Sequence, residues 1–251
     1  MTELDTAFAP PPDPDPPRPR YPFWGYQDVI LFFGAAIPSL VFAGLLVGAL
    51  RAAFPGVPAS KAFDALIVQF VGYCLLFLCL YLVFRVRYGQ PFWASLAWQG
   101  SRPRIAMAMF VGPLLALGVA VFGLLLEQPD IDNPFQGFLR DRFSIVLFGI
   151  FVTTLGPLFE ELAFRGFLQP LLSRTLGPVM GVLLGSVPFA LLHAPQYGWS
   201  WQHVALVGVA SLVFGIVRHV TGSTAAAAGM HATYNLTFFA AFVFQRGSRF
   251  G

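Results

Sequence analysis

Residues 143–172 read FSIVLFGIFVTTLGPLFEELAFRGFLQPLL, and this stretch decides the fold. As one helix its roughly 30 residues reach about 45 Å, more than a hydrocarbon core of about 30 Å requires. No charged side chain falls between Phe143 and Phe159, so the segment is apolar enough to cross a membrane. Gly156-Pro157 predicts a kink, because proline lacks an amide hydrogen and its ring clashes with the carbonyl one turn back. Just beyond stand Glu160, Glu161 and Arg165. An ionisable group inside a span costs roughly 2.5–3.5 kcal/mol on insertion scales, so three in one helix need a reason.

The rest of the chain repeats the apolar signal. Val29–Leu50 carries no charge and is interrupted only by Pro38, Ala65–Phe84 is about as long, and Ile105–Leu126 contains the single Pro113. Further apolar stretches run from Val179 to about Pro195, Trp201 to Val217, and Ser223 to Phe244. The expectation is an all-α polytopic membrane protein of seven transmembrane helices, or eight, with a polar catalytic cavity between the C-terminal ones. Of the 251 residues 57% are hydrophobic and only 11% charged, against about 25% charged in soluble domains. A free-standing cytosolic enzyme is thereby excluded. The net charge of +3 does not point to nucleic acid, since the charges are spread through loops. Cys74 and Cys79 lie in an apolar run, which argues against a disulfide framework.

Three regions follow. Residues 1–27 are expected to be a Pro-rich solvated tail, ending in an interfacial belt of Tyr21, Phe23, Trp24 and Tyr26. Residues 28–142 hold the N-terminal helices and 143–245 the core with the polar residues. The loop 85–104 carries Arg85, Arg87, Arg102 and Arg104 without an acid, whereas 127–142 carries Glu127, Asp130, Asp132 and Asp141 against Arg140 and Arg142. The positive-inside rule places the first loop and the N-terminus in the cytoplasm. Under seven spans Arg246 and Arg249 fall outside, a mild conflict. His203 and His219 read as interfacial, and Arg218 as a positive-inside residue.

Polar groups at depth outline a site. With each helix centred in the bilayer, Glu160, Glu161 and Arg165, then His193, then His231 with Asn235 fall near one level. Glu161 and Arg165 are four apart, so they share a face and form a structural pair. Glu160 is turned by about 100° and is the better candidate to face a cavity. Phe189 shares a face with His193, and His231 with Asn235. One carboxylate, two imidazoles and a carboxamide suit peptide hydrolysis. Glu160 would activate water as a desolvated base. His193 would orient that water, while His231 and Asn235 would polarise the scissile carbonyl. No cofactor is required by this scheme. In the zinc alternative Glu160, His193 and His231 supply the ligands, in tension with Glu160 as base.

At these residues the chain resembles the CPBP family of intramembrane proteases, which includes CAAX prenyl endopeptidases of the Rce type and bacterial Abi proteins. Glu160-Glu161-Leu162-Ala163-Phe164-Arg165 matches EExxxR, Phe189 to His193 matches FxxxH, and His231 to Asn235 matches HxxxN. The resemblance covers about residues 143–245. It implies a membrane-embedded endopeptidase, described both as a metalloprotease and as glutamate-dependent, in which Glu160 activates water, His193 assists, and His231 with Asn235 stabilises the oxyanion. The implied partners are a membrane protein or lipidated peptide substrate and the lipid bilayer, and the implied location is the plasma (inner) membrane. Two other classes remain open on the residues alone: a non-catalytic scaffold or immunity protein, and a proton-coupled transporter, which the clustering of polar groups at one level disfavours.

Overall fold

In the computed structural model, residues 20–56, 60–131 and 141–247 are described. Positions 1–19 of the expected tail, Asp132 and Arg140 of the acidic loop, and Arg249 lie outside them. No strand occurs among the described residues. Six helices are long and apolar enough to cross a membrane: α1 Tyr26–Ala53, α2 Lys61–Arg87, α3 Arg102–Leu125, α4 Arg142–Leu176, α5 Pro178–Tyr197 and α6 Trp201–Thr221. The last expected span is also a helix, α7 Thr224–Gly247, as long as α3. His231, Tyr234, Asn235 and the flanking Gln245 and Arg246 dilute its hydropathy, so it is not among the six. The protein is an integral membrane protein. Its outer surface agrees, since Ile37, Leu45, Phe110, Leu124 and Val220 are all well over half exposed.

Contacts at the helix ends sort the chain into two faces. Arg174 at the end of α4 donates to the carbonyls of Pro22 and Trp24, and Arg218 at the end of α6 donates to the Tyr21 hydroxyl. Thr224, opening α7, donates to the Leu96 carbonyl, and Arg87 pairs with Asp28. These ends share the N-terminal face. On the opposite face Arg51 pairs with Asp64, and Ser60 meets Ser144. There Asp141 caps α4, accepting from the Ser144 amide at 2.9 Å and hydroxyl at 2.7 Å, bonds that hold its carboxyl below the usual range.

The aromatic cluster before α1 departs from expectation. Trp24 is fully buried rather than interfacial. Its indole donates to the Phe167 carbonyl at 3.1 Å and its ring stacks on Phe84 and Phe167. Tyr21 and Tyr26 keep about half their surface exposed. The reason is that α4 presents an apolar socket at its buried end, and an indole with one donor fills it more completely than lipid would. Arg218, on the same face, is buried as well, bonded to Thr224 and Tyr21.

The Gly156-Pro157 kink is resolved as a change of helix type. α4 is π-helical over Phe151–Leu155, α-helical over Gly156–Glu161 and π-helical again over Leu162–Leu168. Wider turns absorb the proline and re-phase the faces that follow. Replacing Trp24 by Ala removes both the socket's filling and its hydrogen bond, so stability should fall by about 3 kcal/mol or more. A thermal melt in detergent, compared with an exposed control such as Tyr26→Ala, reads that loss.

Candidate active site

Glu161, Arg165 and His231 form the buried centre. Arg165 Nη1 donates to Glu161 Oε1 at 2.9 Å, and His231 Nδ1 lies 2.9 Å from the same oxygen. Glu161 and Arg165 are essentially unexposed, and the cost of burying the pair is offset through Oε1 of Glu161 and the further bonds of Arg165, while Glu161 Oε2 finds no partner among the described residues. Arg165 Nη2 donates to both the carbonyl and the hydroxyl of Ser211 at 2.7 Å, and its guanidinium lies over the rings of Phe189 at 4.6 Å and Phe214 at 5.5 Å. Phe214 also stacks on His231, with centroids 4.5 Å apart. A carboxylate paired with arginine only accepts, so His231 must carry its proton on Nδ1. Its Nε2 is left facing Glu160, 3.8 Å from Oε2.

Glu160 and Glu161 therefore have different surroundings. The Glu160 side chain keeps 22% of its surface exposed and its neighbour none. What it faces is a cavity of about 710 Å³, lined also by His193, His231, Asn235, Phe189 and Tyr197. His193 Nδ1 lies 2.8 Å from the Phe189 carbonyl. A carbonyl cannot donate, so this bond fixes the tautomer and leaves the His193 Nε2 lone pair free as an acceptor. Phe189 sits between the groups, 4.6 Å from the His193 ring and 5.9 Å from that of His231. Five of the seven residues singled out in the sequence thus line one cavity, with Glu161 and Arg165 buried outside its lining and bonded to it through His231.

Asn235 occupies a position the sequence reading did not foresee. Its Nδ2 donates to the Val152 carbonyl at 2.8 Å. The Gly156 amide is spent on the Phe151 carbonyl, and the next residue is Pro157, which has no amide to offer. Val152 is left without its helical donor, and Asn235 supplies one. Thr233 does the same for α3, donating at 2.8 Å to the Met109 carbonyl, the partner that Pro113 cannot bond. Two prolines on separate helices thus fix the register of α7, and His231 is set between them. Gly112 permits the approach: a Cβ there would lie 2.5 Å from the Met230 carbonyl oxygen.

Some contributors carried no recognisable motif. Ser211 was legible only as a hydroxyl inside an apolar run, and Phe214 only as one of 28 Phe. Gln69, Leu66, Val119 and Gln128, from α2, α3 and the segment after it, close the cavity although the N-terminal region matches no motif. His203, near the start of α6, also lines the cavity and stacks on Tyr197 with ring centroids 5.1 Å apart. Among the described residues no three His, Cys, Asp or Glu side chains are grouped closely enough to hold a metal as they stand. The bonds at Nδ1 of His193 and His231 leave Nε2 of each as the nitrogen that would serve the zinc alternative. No step is derived through a metal.

The fold defines a polytopic helical membrane protein with a buried carboxylate–imidazole cluster between its C-terminal helices. A family model described as "Type II CAAX prenyl endopeptidase Rce1-like" matches residues 142–237, so that segment is similar to this family. No curated protein and no solved structure matches it.

If Asn235 replaces the amide that Pro157 lacks, the two residues are coupled. Asn235→Ala should cost about 1–3 kcal/mol by leaving a buried carbonyl unpaired. In a Pro157→Ala background, where an amide is restored, the cost should shrink. A double-mutant cycle on thermal stability measures the difference.

Proposed function

We propose that the protein is an intramembrane endopeptidase in which Glu160 activates water for attack on a peptide bond. The observation that carries this reading is the division between adjacent carboxylates: Glu161 is locked to Arg165 and His231, while Glu160 faces the cavity. Glu160 takes a proton from water as its oxygen bonds to the scissile carbonyl carbon. The same carboxyl then returns that proton to the leaving nitrogen as the C–N bond breaks. His193 Nε2 accepts a hydrogen bond from the attacking water and orients it. The developing oxyanion is met by the second N–H of Asn235 and, when His231 is protonated, by its Nε2–H. Glu161 holds His231 in one tautomer and ring orientation.

The cavity supports an assignment of side. Its lining comes from the start of α2, the end of α3, the first half of α4, the end of α5 and the latter half of α7, the halves nearest the face opposite the N-terminus. The arginine-rich N-terminal face is cytoplasmic by the positive-inside rule, so the mouth opens on the other side of the plasma (inner) membrane. The substrate is then a membrane protein segment or lipidated peptide presented from that side.

Purified protein should cleave a membrane-presented peptide, and Glu160→Gln should lower turnover by about 10²–10⁴-fold. Unchanged turnover in that variant would falsify Glu160 as the base. For the assignment of side, single cysteines at Gln128 and Arg102, with Cys74 and Cys79 replaced, should react differently with an impermeant maleimide on intact cells. Gln128→Cys should label at once and Arg102→Cys only after permeabilisation, and the reverse pattern contradicts the orientation.

A further inference from the structure

A second cavity, of about 370 Å³, lies on the N-terminal face behind the catalytic centre. It is lined by Arg20, Tyr21, Ser173, Arg174, Arg218 and His219, with Arg165 among them, and by no acidic side chain among the described residues. Arg218 is more than nine-tenths buried, yet its described partners are neutral: the Thr224 hydroxyl at 3.0 Å and the Tyr21 hydroxyl at 3.1 Å. Arg174 spends its bonds on the carbonyls of Pro22 and Trp24. The nearby Asp28 is committed to Arg87, Tyr88 and the Gly25 amide. A buried guanidinium without a counter-charge is costly, and here Arg218 converges on one hollow with the exposed Arg20 and Arg174.

The position of this hollow identifies the anion. Arg174 and Arg218 stand at the ends of α4 and α6, and Tyr21 just before α1, so the pocket lies where the spans leave the hydrocarbon. Lipid phosphates lie at that level, and basic pockets between helices on the cytoplasmic side are suited to anionic headgroups. Ser173 and Tyr21 add hydroxyl donors beside the guanidiniums, which suits the several oxygens of a phosphate. We propose that the pocket of Arg20, Arg174, Arg218 and His219 binds a phosphate group, presented by an anionic phospholipid headgroup at the cytoplasmic face. Arg165 is among its lining residues and bonds Glu161, so the bound phosphate lies one residue away from the carboxylate that orients His231.

Full-length protein in nanodiscs of phosphatidylcholine with phosphatidylglycerol, released for native mass spectrometry, should retain phosphatidylglycerol about tenfold over phosphatidylcholine. Arg174→Gln should abolish that preference. Arg20→Gln, which removes none of the hydrogen bonds described above and tests the site without risk to folding, should weaken it. Millimolar inorganic phosphate in detergent separates the two sources of the ligand. A rise in Tm with phosphate alone, as large as with lipid, keeps the phosphate site but assigns it to a soluble ester. Equal retention of both lipids with no response to phosphate overturns the proposal, as does a preference that survives both variants. Binding that emerges only when Asp13 and Asp15 are changed to Asn would show the chain's own acidic segment filling the pocket, and would overturn the lipid assignment.

Discussion

The carboxylate of Glu161 is the constraint on which the rest of the structure depends. It is wholly buried, and one of its oxygens accepts from Arg165 and from His231 together. Through Arg165 it reaches Ser211 on α6 and the ring of Phe189 on α5, and through His231 it reaches α7. Four helices are tied at one point. Such a charge cluster is expensive in a membrane, and the aromatic faces of Phe189 and Phe214 against the guanidinium offset part of that cost. What the arrangement secures is orientation. An imidazole held in a single tautomer beside a second, accessible carboxylate is a chemical tool, and Glu160 has that position because Glu161 does not.

Around this centre the helices are registered by proline. Pro113 and Pro157 each release a carbonyl within a span, where an unpaired polar group is costly. Thr233 and Asn235, two residues apart on α7, each supply a donor, one towards α3 and one towards α4. The helix that carries His231 is pinned on two sides by bonds that only one rotation and one depth allow. The π-helical turns flanking Gly156–Glu161 serve the same end, setting the phase at which Glu160 and Glu161 point apart.

Much of this was legible in the residues. Long uncharged runs announced the helices, and the few ionisable groups inside them announced a cluster, because their cost in lipid disfavours isolated placement. The four-residue spacing of Glu161 and Arg165 gave their pairing directly. Harder to read were features set by tertiary partners. Trp24 looks like an interfacial aromatic until the socket on α4 is known. Asn235 looks like a site donor alone until the missing amide of Pro157 is counted, which claims one of its two N–H groups. Gln69 and Gln128 close the cavity from outside the motif region, and nothing in their own neighbourhoods marks them. Helix type was hidden as well, since a proline predicts a disturbance without saying whether the helix bends or widens.

The central claim is that adjacent glutamates divide structure from chemistry, and thermal unfolding of the two glutamine variants tests it most directly. Glu161→Gln leaves Arg165 buried without a counter-charge and should cost about 3–5 kcal/mol, a loss large enough to lower Tm sharply. Glu160→Gln breaks no hydrogen bond described in the structure and should melt with the unaltered protein. Equal destabilisation by the two substitutions, or a greater loss from Glu160→Gln, would contradict the account.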